Sequence, residues 1–466
     1  FEITFVEDYS VYDGRFANNA WLQELPDPIT KLTWDNAALI APEDAAQLGV
    51  KELGDVIRIA NSLEIPAYPV PGHARGSITL PLGYGREFGV VAKTAGVRTS
   101  AVLPSSGGKT LAGVQVTATG RHAELALSQD NPDIRSKVGD EESSRRVAEE
   151  LIKVASIGDF TNDPTFAKTD VHSQPLWKNW SYEDGRKWGM AVDLSACIGC
   201  SGCVLACQAE NNIPVVGKEE IAIGRDMHWI RVDRYFQERE SDQDSQQADT
   251  PNKASDVQVL HQPMTCHHCE TAPCEQVCPV AATVHDQEGL SVMVYSRCIG
   301  TRYCNNNCPF KVRRFNWFWN HHGPQHPRSK EELTEVEKMV HNPEVTVRSR
   351  GVMEKCSFCS QRINAVKIRA KNEQWDHIPD GMITPACAQA CPTDAIVFGD
   401  LNDPESRVRQ LHNDPRSYEI LPELNLKSRL LYLAKLTNPV DGGPEGTDDE
   451  VPEKAKQPDQ QHEKHG

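Results

Sequence analysis

The sequence predicts an α+β chain in two parts, a β-barrel-like N-terminal domain followed by a longer cysteine-rich domain. Three observations carry this. The chain has 466 residues, enough for about two to four domains at roughly 100–200 residues each. Its first 196 residues contain no cysteine, whereas all 15 cysteines fall between Cys197 and Cys391 in four tight groups. Proline and glycine break the cysteine-free part into short runs of β character, the pattern of a small barrel with few helices.

Taken in order, Phe1-Glu-Ile-Thr-Phe-Val6, Val56-Ile-Arg-Ile-Ala60 and Ser77-Ile-Thr-Leu-Pro-Leu82 read as strands of a domain spanning 1–135. Pro42-Glu-Asp-Ala-Ala-Gln-Leu-Gly49 predicts a short helix, because proline and acids suit a first turn and glycine a C-terminal cap. Val147, Leu151 and Val154 stand at helical spacing and predict a connecting helix over 141–155. That helix lies in a helical or extended linker, 136–185, which is followed by the cysteine-rich domain at 186–436; Trp177, Trp180 and Trp188 mark the junction. A polar stretch at 237–256 predicts a surface insertion. In the tail, 437–466, eight acids face three lysines, and it is expected to be disordered or to lie on a partner. The chain opens at Phe1 directly in β-like sequence without a signal peptide, so its N-terminus is expected to be processed or incomplete.

With 49 Lys+Arg against 66 Asp+Glu the formal net charge is −17. No basic stripe stands out, so the clustered cations that drive phosphate-backbone binding are missing and nucleic acid is not an expected partner. No apolar run reaches the roughly 18 residues of a membrane helix, so membrane contact is expected only through partners. Neither Gly-x-Ser-x-Gly nor the phosphate-binding Gly-x4-Gly-Lys occurs, and hydrolytic chemistry has no support.

The cysteines carry the chemistry. Group one is Cys197-x2-Cys200-x2-Cys203-x3-Cys207, and group two is Cys266-x2-Cys269-x4-Cys274-x3-Cys278-Pro279. Group three is Cys298-x5-Cys304-x3-Cys308-Pro309, and group four is Cys356-x2-Cys359-x27-Cys387-x3-Cys391-Pro392. An odd count in a large chain does not suit a disulfide framework. Paired Cys-x2-Cys units also bind zinc, but zinc sites lack the trailing x3-Cys-Pro element that recurs here three times. That element is the mark of ferredoxin-type iron–sulfur clusters, in which the last cysteine of a run ligates the other cluster of a pair. Group three begins only 20 residues after group two ends, the short separation of one two-cluster unit, and groups one and four then pair around it. Cross-ligation assigns Cys197, Cys200, Cys203 and Cys391 to one [4Fe-4S] cluster, and Cys207, Cys356, Cys359 and Cys387 to a second. Cys266, Cys269, Cys274 and Cys308 hold a third.

Cys278, Cys298 and Cys304 remain. Thr301 stands where group three should have its second cysteine, and a threonine hydroxyl gives up its proton far less readily than a thiol. Three thiolates suit a [3Fe-4S] cluster, or else a [4Fe-4S] cluster with water on its fourth iron; the first is the reading adopted, and every cysteine is then used. His267, His268, His321, His322 and His326 lie near groups two and three; with thiolates enough for every cluster, hydrogen bonding around the ligands is the reading adopted over a metal or haem role. No Cys-x-x-Cys-His occurs, so covalently attached haem is not expected in this chain. Arg302, Lys311, Arg313 and Arg314 either balance cluster charge or form a solvated face.

The four groups, with Trp229-Ile-Arg-Val-Asp-Arg-Tyr235 and Cys298-Ile-Gly-Thr-Arg-Tyr-Cys304, resemble the four-cluster electron-transfer subunits of the molybdopterin oxidoreductase family over about residues 185–400. The stretch from Leu32 to Val50, Gly54-Asp-Val56 and the run Pro71–Arg86 are similar to the C-terminal barrel of the molybdopterin catalytic subunits. A barrel of that type followed by a double ferredoxin-like domain resembles the iron–sulfur B subunits of bacterial alternative complex III. The resemblance implies three [4Fe-4S] clusters and one [3Fe-4S] cluster, no molybdenum and no molybdopterin-binding residues in this chain, and no substrate-converting site of its own. It further implies an integral membrane quinol-binding partner, multihaem and monohaem c-type cytochrome partners, and the periplasmic face of the inner membrane. The alternative is the C-terminal part of an active molybdenum or tungsten oxidoreductase fused to its electron-transfer module.

Overall fold

The computed structural model describes residues 1–129, 151–169, 171, 180–238, 257–320 and 333–438. Seven short strands build the main sheet of the N-terminal domain: β1 (Glu2–Val6), β2 (Ala38–Ile40), β3 (Asp55–Ile59), β4 (Leu63–Pro69), β5 (Ser77–Pro81), β6 (Thr110–Leu111) and β7 (Val116–His122). They form one mixed sheet in the order β6-β1-β5-β2-β4-β3-β7. Alternate positions point inward, as the period of two in a strand requires. Ile3 and Phe5 thus meet Ile78 and Leu80 across β1 and β5, and Ile57 and Ile59 meet Ile65 and Leu63 across β3 and β4. All eight side chains are buried in a single apolar cluster. The two outer strands, β6 and β7, belong to one continuous segment, and between them Val114 exchanges both backbone hydrogen bonds with Phe1 at 2.9 and 3.0 Å. The edges therefore meet, and the sheet closes around its core.

Two short helices complete this part, α1 (Ala20–Glu24) and α2 (Pro42–Leu48). α2 is the helix predicted after Pro42: Glu43 and Asp44 occupy its first turn, and Gly49, at φ 80°, closes it in the left-handed region that glycine reaches without strain.

In the second domain β8 (Trp188–Asp193) is the hub. It pairs antiparallel with β13 (Ile396–Asp400) and parallel with β14 (Leu430–Leu433), so one strand ties the start of the cysteine-rich region to its end. A long hairpin, β9 (Arg231–Glu238) with β10 (Val257–Met264), leads into group two, and a small hairpin, β11 (Thr283–His285) with β12 (Ser291–Met293), separates groups two and three. The helix expected over 141–155 does not reach Val154: residues 154–156 are a strand paired parallel with Lys435–Thr437. Residues 130–150, the stretch 239–256 of the expected insertion and the tail from 439 onward lie outside the described residues, as does Trp177. Among the described residues no helix is long and apolar enough to cross a membrane.

The two domains are locked by polar contacts. Glu24, fully buried at the end of α1, accepts hydrogen bonds from Trp34 Nε1 at 3.2 Å, Val216 N at 2.9 Å and Gly217 N at 2.8 Å. Asp35 pairs with Lys218 at 2.5 Å, and the Tyr9 hydroxyl donates to the Cys200 carbonyl. Burial lifts the Glu24 carboxyl to about 7 from an ordinary 4.5, against the pull of its three donors. A folded-state value raised this way makes ionisation favour the unfolded state. The Glu24 contribution to stability is whole below about pH 4.5 and is lost as the pH rises toward 7. Glu24→Gln, which cannot ionise, is expected to flatten that part of the profile. Thermal melts at pH 5 and pH 8 check this, and an equal loss in both proteins would reject it.

Candidate functional site

Each cysteine group opens with the same backbone turn. The residue before its second position has positive φ in all four: Gly199 at 71°, His268 at 45°, Gly300 at 73° and Phe358 at 52°. In groups one and three glycine is required twice over, because a Cβ on Gly199 would lie 2.3 Å from the His261 ring and one on Gly300 2.5 Å from the Gly351 carbonyl oxygen. In groups two and four a non-glycine residue takes a conformation costing about 1–2 kcal/mol. His268 and Phe358 stack on each other with ring centroids 3.9 Å apart, and this packing holds both turns. The turn puts Cys200, Cys269 and Cys359 at equivalent places, and Thr301 at the fourth.

The Cys-Pro ends repeat as well. Ala281, Lys311 and Asp394, each three residues after the cysteine of a Cys-Pro pair, have φ of 47–51°. After two of them the next amide turns back onto sulfur, Ala282 N to Cys278 Sγ at 3.2 Å and Ala395 N to Cys391 Sγ at 3.3 Å.

Four short helices bring the groups together in two pairs. α3 (Gly202–Glu210) of group one packs against α7 (Ala386–Gln389) of group four, and α4 (Pro273–Gln276) of group two against α5 (Tyr303–Asn306) of group three; α6 (Ser360–Asn372) runs between Cys359 and Cys387. Four thiol sets result. Cys203 lies within electrostatic reach of Cys197, Cys200 and Cys391, and Cys207 of Cys356, Cys359 and Cys387. Cys269 has Cys266, Cys274 and Cys308 around it, and Cys304 has Cys298 and Cys278. All 15 thiols are free. Among the described residues no three His, Cys, Asp or Glu side chains converge on a point that one metal ion could occupy. A small cavity of about 20 Å³ lies among Cys266, Cys269, Cys274 and Cys308, and another of about 20 Å³ among Cys278, Cys298, Cys304 and Thr301.

Burial pushes the thiols of Cys203, Cys207 and Cys387 up, that of Cys274 to about 11 and that of Cys356 to about 12. Burial acts upward on Cys278 and Cys391 too, but backbone N–H groups outweigh it and hold both below the ordinary thiol value. Buried sulfurs of this kind become thiolates by binding a cationic centre. Sets of three and four thiols from separate cysteine groups, with N–H donors aimed at sulfur, fit iron–sulfur clusters.

The histidines near group two do not bind the thiols. His267 stacks on Phe310 at 3.5 Å and shares a hydrogen bond with Ser428 Oγ at 3.0 Å, while His268 Nδ1 accepts from Ser291 N at 3.1 Å. Burial holds His267 neutral, at about 3, and lowers His268 as well. His321, His322 and His326 lie outside the described residues. Of the four cations near group three, only Arg313 reaches sulfur, 3.2 Å from Cys274 Sγ. Arg302 lies over the Phe315 and Trp317 rings, Lys311 binds the Asn306 carbonyl at 2.6 Å, and Arg314 pairs with Asp226 at 3.0 Å.

Sequence reasoning missed three residues that frame the site. Asn211 Nδ2 points at Cys207 Sγ, 3.5 Å away, and at Cys359 Sγ, 3.9 Å away. Arg348 and Glu354 form a buried ion pair at 2.8 Å, and Arg348 Nη1 donates to the Asn211 carbonyl at 2.6 Å. Nothing in their spacing marks them.

Residues 196–282 and 257–323 each match a family model described as a 4Fe-4S dicluster domain. The chain is 37% identical over 252 residues to the menaquinone reductase iron–sulfur cluster-binding subunit of Nitratidesulfovibrio vulgaris, covering 53% of this chain and 89% of that protein. It is 31% identical over 311 residues to the Hdr-like menaquinol oxidoreductase iron–sulfur subunit 1 of Archaeoglobus fulgidus, covering 63% and 98%. The arsenate respiratory reductase iron–sulfur subunit of Shewanella is 31% identical over 262 residues, covering 53% and 95%.

Proposed function

This chain belongs to the 4Fe-4S dicluster family of iron–sulfur electron-transfer subunits of membrane-associated quinone oxidoreductases, and from that premise we propose that it is the electron wire of a quinol-oxidising complex of the alternative complex III type. The observation that carries the reading is the nested pairing of the cysteine groups, one with four and two with three, which leaves four thiol sets and no cysteine spare. Three sets of four suit [4Fe-4S] clusters, and the set of three beside Thr301 suits a [3Fe-4S] cluster; when bound, these centres supply one-electron transfer. The chain's own residues hold the thiols, exclude water from them and aim N–H donors at sulfur. At the three-thiol set Ile299, 68% exposed, and Tyr303 stand at the surface, an apolar margin that suits contact with a membrane quinol-binding subunit. Multihaem and monohaem c-type cytochromes are the proposed acceptors, on the periplasmic face of the inner membrane. The closed N-terminal sheet takes the place of a molybdopterin-type barrel that carries no metal.

Purified complex is expected to contain iron and acid-labile sulfide, no stoichiometric molybdenum or tungsten, and quinol-dependent reduction of a cytochrome c. About one molybdenum per complex would replace this reading with that of a reductase fused to its own wire. Absence of acid-labile sulfide would end both.

A further inference from the structure

Arg313 occupies the junction of two thiol sets. It is 2% exposed. One arm of its guanidinium, Nη2, points at Cys274 Sγ at 3.2 Å, and the other, Nη1, reaches Thr283 Oγ1 at 3.1 Å and Met293 Sδ at 3.2 Å. Thr283 and Met293 line the space beside Cys278, Cys298 and Cys304, and the charge of Arg313 acts on Cys304, Cys278, Cys266 and Cys308. Cys266, Cys274 and Cys308 belong to a four-thiol set, and Cys278 and Cys304 to the three-thiol set. One buried cation is therefore hydrogen-bonded to the first set and held against the lining of the second.

A buried charge is stable only when paired, and a guanidinium does not deprotonate in a protein. Among the described residues no carboxylate ion-pairs with Arg313; its partners are the sulfurs of the two sets, which raise its proton affinity against the effect of burial. Lys355, buried nearby, differs: its ammonium donates to the Ser291 and Cys356 carbonyls rather than to sulfur.

We propose that Arg313 is a positioning residue shared by two electron-transfer centres, and that its fixed charge holds the reduction potentials of both above the values their thiol ligation alone would set. Reduction adds negative charge to a centre, and a neighbouring cation in a low-dielectric interior favours the more negative state. Hydrogen bonds to cluster sulfurs act in the same direction. Because the guanidinium charge lies beside both sets, one substitution moves two potentials together. Thr283, in β11, and Met293, in β12, hold the other arm, so the small hairpin between groups two and three sets where the charge sits.

The inference rests on the iron–sulfur reading, and EPR-monitored redox titration of the purified complex tests the two separately. Wild-type protein without iron–sulfur signals ends that reading before any variant is compared. With the signals present, Arg313→Gln is expected to shift two centres to lower potential and leave the other two in place. Arg313→Lys, which keeps the charge but loses the two-armed contact, is expected to shift the same two centres less. Thr283→Val removes one anchor and no thiol, and serves if the arginine variants lose their clusters; it is expected to move the same pair slightly downward. Unmoved potentials, a shift confined to one centre, or an equal shift of all four would overturn the proposal.

Discussion

Glu354→Ala is expected to destabilise the protein by about 3–5 kcal/mol and to deplete the centre held by Cys207, Cys356, Cys359 and Cys387 before the others. The carboxylate is 0% exposed and its partner Arg348 1%. Its two oxygens accept from Arg348 Nη2 at 2.8 Å, Trp229 Nε1 at 3.2 Å and Asn316 Nδ2 at 3.1 Å. Alanine leaves the Trp229 indole without an acceptor, takes one acceptor each from Arg348 Nη2 and Asn316 Nδ2, which keep the Asn212 and Arg348 carbonyls, and leaves the guanidinium buried without a counter-charge, which costs far more than the pair contributes. The damage has an address, because Arg348 also holds the carbonyls of Asn211 at 2.6 Å and Asn212 at 3.1 Å, and the Asn211 side chain lies between Cys207 and Cys359. Buried ion pairs can often be exchanged for apolar residues at little cost. Here Arg348→Met with Glu354→Leu is expected to recover only part of the loss, since the Asn211, Asn212 and Thr346 carbonyls and the Trp229 indole would lose their partners. Thermal unfolding with iron content and EPR of each centre measures both effects. Stability within about 1 kcal/mol of wild type after Glu354→Ala would show that the pair is not needed.

What the sequence disclosed and what it hid follow from how far apart the interacting residues stand. Tight spacing made the cysteine groups legible, and the short gap between Cys278 and Cys298 pointed to groups two and three as partners, the same pair that α4 and α5 bring together. Pro42 and Gly49 announced α2 because cap chemistry is local. Arg348, by contrast, reaches Asn211 across 137 residues, and no pattern along the chain encodes such a contact. Val154 fits a helical period, but its strand is paired by Lys435–Thr437 from the far end of the domain, and tertiary pairing overrode the local signal. The sheet closure at Val114 and Phe1 is likewise a meeting of distant backbone. His267 and His268 were legible as neighbours of the thiols rather than ligands; their stacking on Phe310 and Phe358, rings brought in from elsewhere, was not. The left-handed turn at His268 and Phe358 was hidden for the same reason, since each residue's strain is offset by the other's ring.

Thr301→Cys is expected to convert the centre at Cys278, Cys298 and Cys304 from three irons to four. The geometry makes the exchange plausible at the backbone: Gly300 takes the same left-handed turn as Gly199, His268 and Phe358, so a cysteine at 301 presents its sulfur where Cys200, Cys269 and Cys359 present theirs. Thr301 already lines the space shared with the other three residues. A hydroxyl there cannot replace a thiolate, because its proton is much harder to remove, and a site with three thiolates leaves one corner of a cubane without a protein ligand. An oxidised [3Fe-4S] cluster is paramagnetic, whereas a low-potential [4Fe-4S] cluster is paramagnetic only when reduced. The oxidised wild-type protein is therefore expected to show an EPR signal that the variant loses, with a new signal on reduction and a potential lowered through the change of cluster type. We place electron entry from quinol at this set, whose margin at Ile299 and Tyr303 is proposed to face the membrane subunit, so the lower potential is also expected to slow quinol oxidation at least tenfold, about 1.4 kcal/mol of barrier. An oxidised wild type without the signal, or a variant that keeps it unchanged, would remove the three-iron assignment. Conversion with unchanged quinol oxidation would keep the assignment and move electron entry to another set.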